Sequence, residues 1–474
     1  MRKIVIITCL LFSFEPIGAK SIWPQEENCQ CSEVLGELID KLENNYIGFV
    51  FLRQSEGIAD YSKWKAEFLY KSKKTNVENC THLLQDFLSF FKDGHLFVVE
   101  YPAFSDKEIN YFTTKVKEKA IDTINFTLPN NDLLGIEGLW SDGSSQMAVI
   151  REGDEYNAYI LKSNKTNIYP GELKATFHLK NEKLKGTYYS YDYHPRNVEA
   201  KVYKQGAFLV LTGGIYWGRL SSNKPERLSI DSSDYSLPTI LSIDPETTLF
   251  TIPSFLTEYN KFIKVVLDNV DLIKSTKNLI IDVRGNIGGN AIYFSFMDAY
   301  ATRPMKSEQG LVLASEDTKK YFEKLATQSP ELYEPVVNSI MKDMGKIVEG
   351  PRYPERKFTP FESNIENVAI LTDEGCMSAA ESFILHSKAA SEKVTTFGSP
   401  TGGVIDYTSI HSVLLTSSGM RKIYFGYPTS TLHKEIPKNG YNQTGIIPDV
   451  PIACEIQDKV DFIVKYYSDK RSQD

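Results

Sequence analysis

The 474-residue sequence is poor in metal-binding side chains, with seven histidines and six cysteines. The Cys29-x-Cys31 pair has no His or further Cys at zinc-ligand spacing, so neither a metal nor an organic cofactor is expected. Positive charge is also short. Lys and Arg number 53 against 61 Asp and Glu, a formal net charge of -8, and that field repels phosphate backbones and anionic lipid heads. Nucleic acid is excluded as the expected partner. No apolar run reaches the ~18 residues that cross a bilayer. No segment is of low complexity and no repeat recurs at a fixed period, which excludes solenoids.

What is present is a globular composition, 42% hydrophobic and 24% charged, in a chain long enough for two to four domains at ~100–200 residues each. Met1-Arg-Lys3, the apolar stretch Ile4 to Phe14 and the small-residue end Ile17-Gly-Ala19 have the three regions of a secretory leader. Loss of residues 1–19 and export to the periplasm or the cell exterior are expected. Five cysteines would then remain, Cys29, Cys31, Cys80, Cys376 and Cys454, an odd number. In an oxidising compartment Cys80 is expected to pair with Cys29 or Cys31, leaving Cys376 and Cys454 as free thiols.

Three texts follow one another along the chain. Residues 20–115 carry apolar side chains at helical spacing (Val34, Leu35, Leu38, Leu42; Leu83, Leu84, Phe87, Leu88), the pattern of a small helical domain. It ends at the turn Lys92-Asp-Gly94 and the strand His95 to Tyr101. Residues 130–220 change to short alternating runs punctuated by Gly, Asn and Asp, as in an antiparallel barrel or sandwich. Its aromatics, Trp140, Tyr188, Tyr189, Tyr191, Tyr193 and Trp217, are of the kind that fill a core or pair across strands, and they could also line a groove. From 245 to 474 strands and helices alternate, which implies a largely parallel sheet with helices packed on it.

The chemistry-bearing motifs lie in this last part. Strand Leu279 to Val283 runs into Arg284-Gly-Asn-Ile-Gly-Gly289, a glycine-rich loop at the carboxyl end of a buried strand, without the features of a P-loop or a dinucleotide fingerprint. Strand Ala369 to Thr372 turns into a helix near Ser378. Ser378-Ala-Ala-Glu381 is a capping box, and it also places a hydroxyl beside unpaired N–H groups and the positive end of a helix dipole.

In order, Leu279 to Gly289, Ser378-Ala-Ala-Glu381, Gly398-Ser-Pro-Thr-Gly-Gly403 and Gly445-Ile-Ile-Pro-Asp449 form a series that resembles the tail-specific (C-terminal-processing) and tricorn-like serine peptidases. The resemblance covers roughly Thr248 to Val450. It implies a multidomain α/β fold with a crotonase-like spiral of ββα units as catalytic domain, and hydrolysis of peptide bonds in protein or peptide substrates. It also implies Ser378 as nucleophile, the N–H of Ala379 with that of Gly288 or Gly289 as oxyanion hole, and Glu381 in support. The turn Phe397 to Val404 lacks the lysine base of the tail-specific branch, and Lys388 and Lys393 precede that turn. Asp93-Gly-His95 resembles the histidine motif of the tricorn-like branch, which points to His95 as base. The glutamate that such members carry before Gly-Ile-x-Pro-Asp corresponds here to Asn442, with Glu435 earlier. That departure admits a second reading, a catalytically weak or inactive relative that binds a peptide or an apolar ligand.

Overall fold

The computed structural model describes residues 30–76, 79–101, 103–122, 135–142, 145–163, 165–180, 183–203, 208–211, 215–219, 237–359, 362–442, 444–453 and 459–471. The expected leader and Cys29 and Cys454 lie outside these residues.

The run Leu279-Ile-Ile has no polar residue to face water, and a strand of that kind needs cover on both faces. It becomes the third strand of a six-stranded sheet whose strands follow one another in chain order: Thr239–Asp244, Thr247–Thr251, Asn278–Asp282, Asn367–Thr372, Val394–Gly398 and Val450–Pro451. The first pair is antiparallel and all the others are parallel. Period-two alternation divides its side chains. Leu279, Ile281, Val368 and Ile370 pack towards Phe383 and Ile384 of helix Ala379–Ala390, whereas Ile280, Ala369, Leu371 and Phe397 pack towards Ile463 and Tyr467 of helix Lys459–Arg471. Each fully buried Leu, Ile or Phe here contributes about 1.5–3 kcal/mol. Because three neighbouring strands run the same way, the loops after Asp282, Thr372 and Gly398 leave the same edge of the sheet.

The motifs gave no sign of a second sheet, which is antiparallel and assembled from distant segments. Strands Phe97–Glu100, Ile423–Thr431, Leu311–Leu313 and Ile347–Glu349 lie in that order, and Tyr407–Leu414 also pairs with Ile423–Thr431. The N-terminal helices Cys31–Asn45, Ile47–Arg53, Ile58–Ser72 and Cys80–Leu88 share one core with it: Leu35, Leu42 and Phe87 pack in the same cluster as Leu415, Phe425 and Tyr427. The strand after His95 therefore extends that sheet, with Phe97 opposite Gly426. A Cβ on Gly426 would come within 2.3 Å of the Phe97 ring, so glycine lets the ring lie across the strand. Buried Glu100 receives Arg421 Nε and, at 2.8 Å, Thr81 Oγ1, which ties helix, strand and sheet together.

Helix Asp106–Glu118, closed at its start by a Ser105–Glu108 capping box, leads from this sheet to the β-rich segment. That segment is a closed barrel of eight antiparallel strands: Gly138–Ser141, Ser145–Glu152, Glu155–Ser163, Leu173–Lys180, Lys183–Tyr189, Pro195–Tyr203, Phe208–Leu211 and Ile215–Arg219. The last strand closes on the first through Trp140 opposite Arg219. Met147, Val149, Ala158, Phe177, Val198 and Leu209 fill its core. The Arg219 guanidinium lies 4.1 Å from the Trp140 ring centre and donates to the carbonyls of Glu137 and Gly135. Among the described residues, no helix is long and apolar enough to cross a membrane.

Cys31 and Cys80, at the starts of the first and fourth helices, are joined by a disulfide that spans 49 positions, and Cys376 is a free, buried thiol. A loop of that length corresponds to roughly 4 kcal/mol of unfolded-state entropy in the chain-entropy model. Peptide mapping of the unreduced protein is expected to recover Cys31 and Cys80 as one cross-linked species. Recovery of both as alkylated peptides would show that the bond does not form.

Candidate active site

Helix Ala379–Ala390 buries Ala380, Phe383, Ile384 and Ser387, the spacing of a helix with one face on a sheet. Its N-cap residue Ser378 has φ 54° and ψ -116°, a conformation that costs a non-glycine residue about 1–3 kcal/mol. Surrounding bonds hold it there. Ser378 N–H donates to the Val404 carbonyl and to Glu381 Oε2, both at 3.1 Å, and Met377 N–H donates to the Asn286 carbonyl at 3.0 Å. Ser378 Oγ lies 3.1 Å from His95 Nε2, across 283 positions of chain.

Glu381 is completely buried, and its carboxylate collects the motifs around the serine. Besides Ser378 N–H it accepts Thr401 Oγ1 at 2.5 Å, Gly403 N–H at 2.9 Å and Val404 N–H at 2.8 Å. Thr401 Oγ1 in turn accepts Ile446 N–H at 2.7 Å. The Thr-Gly-Gly and Gly-Ile-Ile-Pro segments are thus linked to the Ser378 turn through one carboxylate. Burial pushes the Glu381 carboxyl up from its ordinary range, and these hydrogen bonds oppose that shift.

The glycine-rich loop reaches the same point. A Cβ on Gly288 would sit 2.8 Å from Ala379 N and 2.9 Å from Ser378 Cβ, so only glycine lets the loop lie against the serine. Gly288 N–H, one of the two alternatives for an oxyanion donor, donates to Asn286 Oδ1 at 2.9 Å. Gly289 differs. Its parallel bridge to Phe255 uses the Gly288 carbonyl and the Asn290 N–H, so the N–H of Gly289 points to the other side. Ala379 N–H, in the first helical turn, has no intrahelical acceptor.

His95 is placed through its backbone and its neighbours. Asp93 Oδ1 accepts His95 N–H at 2.9 Å and Asp93 Oδ2 accepts the Tyr46 hydroxyl at 2.9 Å. A Cβ on Gly94 would be 2.7 Å from Val404, so the turn packs closely on the residue whose carbonyl holds Ser378. Burial lowers the His95 imidazole to about 4, opposed by the Tyr407 backbone. Burial raises the Asp93 carboxyl to about 6, against the hydrogen bonds from His95 and Tyr46. Among the described residues no carboxylate bonds Nδ1 of His95, and the ring's backbone partner is Tyr407.

The two candidates for a third group are placed apart from that nitrogen's hydrogen bonding. Asn442 Oδ1 accepts Asp406 N–H at 3.3 Å, and Asp406 accepts the N–H groups of Tyr441 and Asn442 at 2.6 and 3.0 Å. Exposed Glu435 receives the Asn439 amide. Lys388 pairs with Asp449 at 2.5 Å and Lys393 donates to the Ile365 carbonyl at 2.6 Å. His386 stacks on Phe294 and bonds the Tyr293 hydroxyl at 2.9 Å. Tyr46 and Asp406 escaped the sequence reading, and Asp93, Asn286 and Val404 stood inside its motifs without an assigned role. Of these, only Asp93 carried a local signal, since an Asp two residues before His in a turn caps that residue's N–H. A cleft of about 1210 Å³ runs along the outer face of helix Ala379–Ala390, lined by residues that include Tyr353, Leu385, His386, Thr408, Glu435 and Tyr441.

Glu381→Ala would leave the N–H groups of Gly403 and Val404 and the Thr401 hydroxyl without their acceptor, at about 1–3 kcal/mol each. The expected loss is at least ~3 kcal/mol by denaturant unfolding, whereas Glu435→Ala should stay within about 0.5 kcal/mol of wild type. Equal unfolding midpoints for the two variants would refute the linking role.

Residues 246–452 match the model of peptidase family S41. The curated proteins give no match. The structure is similar to that of mature CPAF complexed with lactacystin, at 12% identity and TM-score 0.49, over 89% of this chain and 93% of that one. It is also similar to a putative peptidase from Parabacteroides merdae, at 13% identity and TM-score 0.41, over 92% and 93% of the two chains. A third likeness is to the photosystem II D1 C-terminal processing protease, at 9% identity and TM-score 0.36, over 89% and 92%. The match covers residues 246–452, less than half of the chain, and makes that part similar to peptidase family S41, which supports a serine-type peptidase.

Proposed function

We propose that Ser378 attacks the scissile carbonyl of a polypeptide substrate while His95 Nε2 takes its proton. The observation that carries this reading is the 3.1 Å approach of Ser378 Oγ to His95 Nε2. The tetrahedral oxyanion would be received by the N–H groups of Ala379 and Gly289. His95 then returns the proton to the leaving amine, and water, activated in the same way, releases the acyl group. The likeness of residues 246–452 to a peptidase family favours a polypeptide as substrate. The run of parallel strands in chain order supports the crotonase-like arrangement. The Cys31–Cys80 disulfide supports export to the periplasm or exterior, where such bonds persist.

A second reading rests on the lack, among the described residues, of a carboxylate hydrogen-bonded to Nδ1 of His95. Without a carboxylate there, the imidazolium formed during attack gains less stabilisation, which favours a slow enzyme or a binding relative. Turnover decides between the two. A fluorophosphonate probe and a peptide library should be applied to wild type, Ser378→Ala, His95→Ala, Lys388→Ala and Lys393→Ala. Labelling and turnover should vanish with Ser378→Ala and turnover should fall roughly 10²- to 10⁴-fold with His95→Ala, with little change for either lysine. Turnover unaffected by Ser378→Ala would end the proposal.

The acid side of the pH profile separates His95 from Asp93. Neutral His95 is the competent form, and since its imidazole is lowered to about 4, its own limb lies near pH 4. Asp93, raised to about 6, exchanges an acceptor for a donor when it protonates and loosens the turn that carries His95. A limb in kcat/KM near pH 6 is expected in wild type and should be absent from Asp93→Asn. The stability terms oppose each other. The lowered His95 binds fewer protons folded than unfolded, so stability is lost as pH falls from ~6.5 towards ~4, whereas the raised Asp93 gains stability as pH falls through ~6. Activity should therefore fall in that window with little contribution from this pair to the melting temperature. An unchanged limb near 6 in Asp93→Asn would refute the assignment.

A further inference from the structure

The barrel holds two buried donors that have no acceptor among the described residues. Lys174 is 2% exposed and Trp217 is 0% exposed, and neither Lys174 Nζ nor Trp217 Nε1 has a hydrogen-bond partner among the described residues. Both border the same ring. Lys174 Nζ lies 4.6 Å from the centre of the Tyr188 ring, and the Trp217 ring lies 6.4 Å from it. Tyr188 and Trp217 belong to the barrel core together with Phe177.

Lys174 reaches this position through an irregularity. Strand Glu155–Ser163 pairs Ala158 with Ala175 and Tyr159 with Leu173, so Lys174 is the extra residue of a β-bulge. A bulge takes a side chain out of strand alternation and re-aims it, and bulges recur at barrel rims and functional sites. The rim at this end also carries Tyr191, whose hydroxyl donates to Asp142 at 2.5 Å and whose ring centre lies 3.5 Å from Lys174 Nζ.

Packing alone does not account for the arrangement. The ring contacts of Lys174 are worth about 2 kcal/mol when desolvated, less than the several kcal/mol lost on burying an ammonium. They do nothing for Trp217 Nε1. Burial lowers the Lys174 amine to about 7, with Asp142 and Asp192 opposing and Arg196 and Lys165 adding to the shift. Two buried donors that border one ring, each without an acceptor among the described residues, mark a place for a group that brings acceptor oxygens.

We propose that the mouth of the barrel binds the carboxylate of a small amphipathic acid, with Lys174 Nζ and Trp217 Nε1 as its donors and Tyr188 and Phe177 against its apolar body. Side chains fill the core of this barrel, so of the two uses of an eight-stranded interior only its mouth is left for such a molecule. The burial of both donors restricts the occupant to a slender one. Tyr191, half-buried on the turn between two strands, is the ring that gives way when a carboxylate takes its place over the ammonium. The site stands apart from Ser378 and does not depend on the peptidase reading.

The test uses the full mature chain carrying Ser378→Ala, so that a failure of the peptidase proposal leaves it intact. Octanoate, decanoate and phenylacetate are titrated by calorimetry and by the fluorescence of Trp140 and Trp217, beside the matching alcohols. At least one acid should saturate at one per chain, its alcohol should bind about 10- to 100-fold more weakly, and Lys174→Met should lose acid affinity by the same factor, the worth of a hydrogen bond to a charged group. Trp217→Phe should weaken the acid by a smaller factor. Lys174→Met should keep or raise the melting temperature, because it removes an unpartnered cation. A purely structural lysine would lower the melting temperature and leave acid binding unmoved. Absence of saturable binding by all three acids, or equal binding by Lys174→Met, would overturn the proposal.

Discussion

One buried carboxylate decides the geometry of the catalytic half. Glu381 sits one helical turn beyond Ser378 and takes hydrogen bonds from four groups on two loops. A carboxylate withdrawn from water is tolerable only when its oxygens are fully engaged, and the loops that engage it are those that must stand beside the serine. The requirement runs in both directions, since the buried N–H groups of Gly403 and Val404 have this carboxylate as their acceptor. The strained backbone of Ser378 is held by the same set of bonds, so strain at this serine is balanced by polar satisfaction one turn away.

The approach of His95 depends on a different kind of constraint, long-range closure. The N-terminal helices bury their apolar faces on the second sheet, and the strand that follows His95 completes that sheet beside Ile423–Thr431. Glu100 and Arg421 form a charge pair out of reach of water. Such a pair is weak evidence for stability, but it is intolerant of separation and thereby fixes where the strand must lie. Gly94 on Val404 then sets the final approach. The histidine is brought to the serine by packing over hundreds of residues of chain, and among the described residues its ring receives no carboxylate at the far nitrogen.

Much of this was legible in the order of residues. Continuous apolar runs such as Leu279-Ile-Ile announced buried parallel strands, and alternation with turn residues announced the β-rich segment, although closure into a barrel depends on the pairing of its first and last strands, which no local pattern encodes. Ser378, His95 and the glycine loop stood out through their motifs. The second sheet did not, because its strands come from five separate places and their neighbours are set by tertiary packing rather than by propensity. The division of labour between Gly288 and Gly289 was equally hidden. It turns on the Asn286 side chain, whose role appears only once the loop is folded.

The barrel's first and last strands pair with each other, Trp140 opposite Arg219, so its hydrogen-bond ladder closes without a strand from elsewhere in the chain. An insertion of that kind enters and leaves the host at neighbouring points. Its contents can drift, shrink or be exchanged while the host's own strands keep their registers. The same catalytic frame can accordingly be refitted to new environments by replacing a single cassette, with the connecting helix Asp106–Glu118, whose Val116 joins the barrel core, as the coupling that has to be matched.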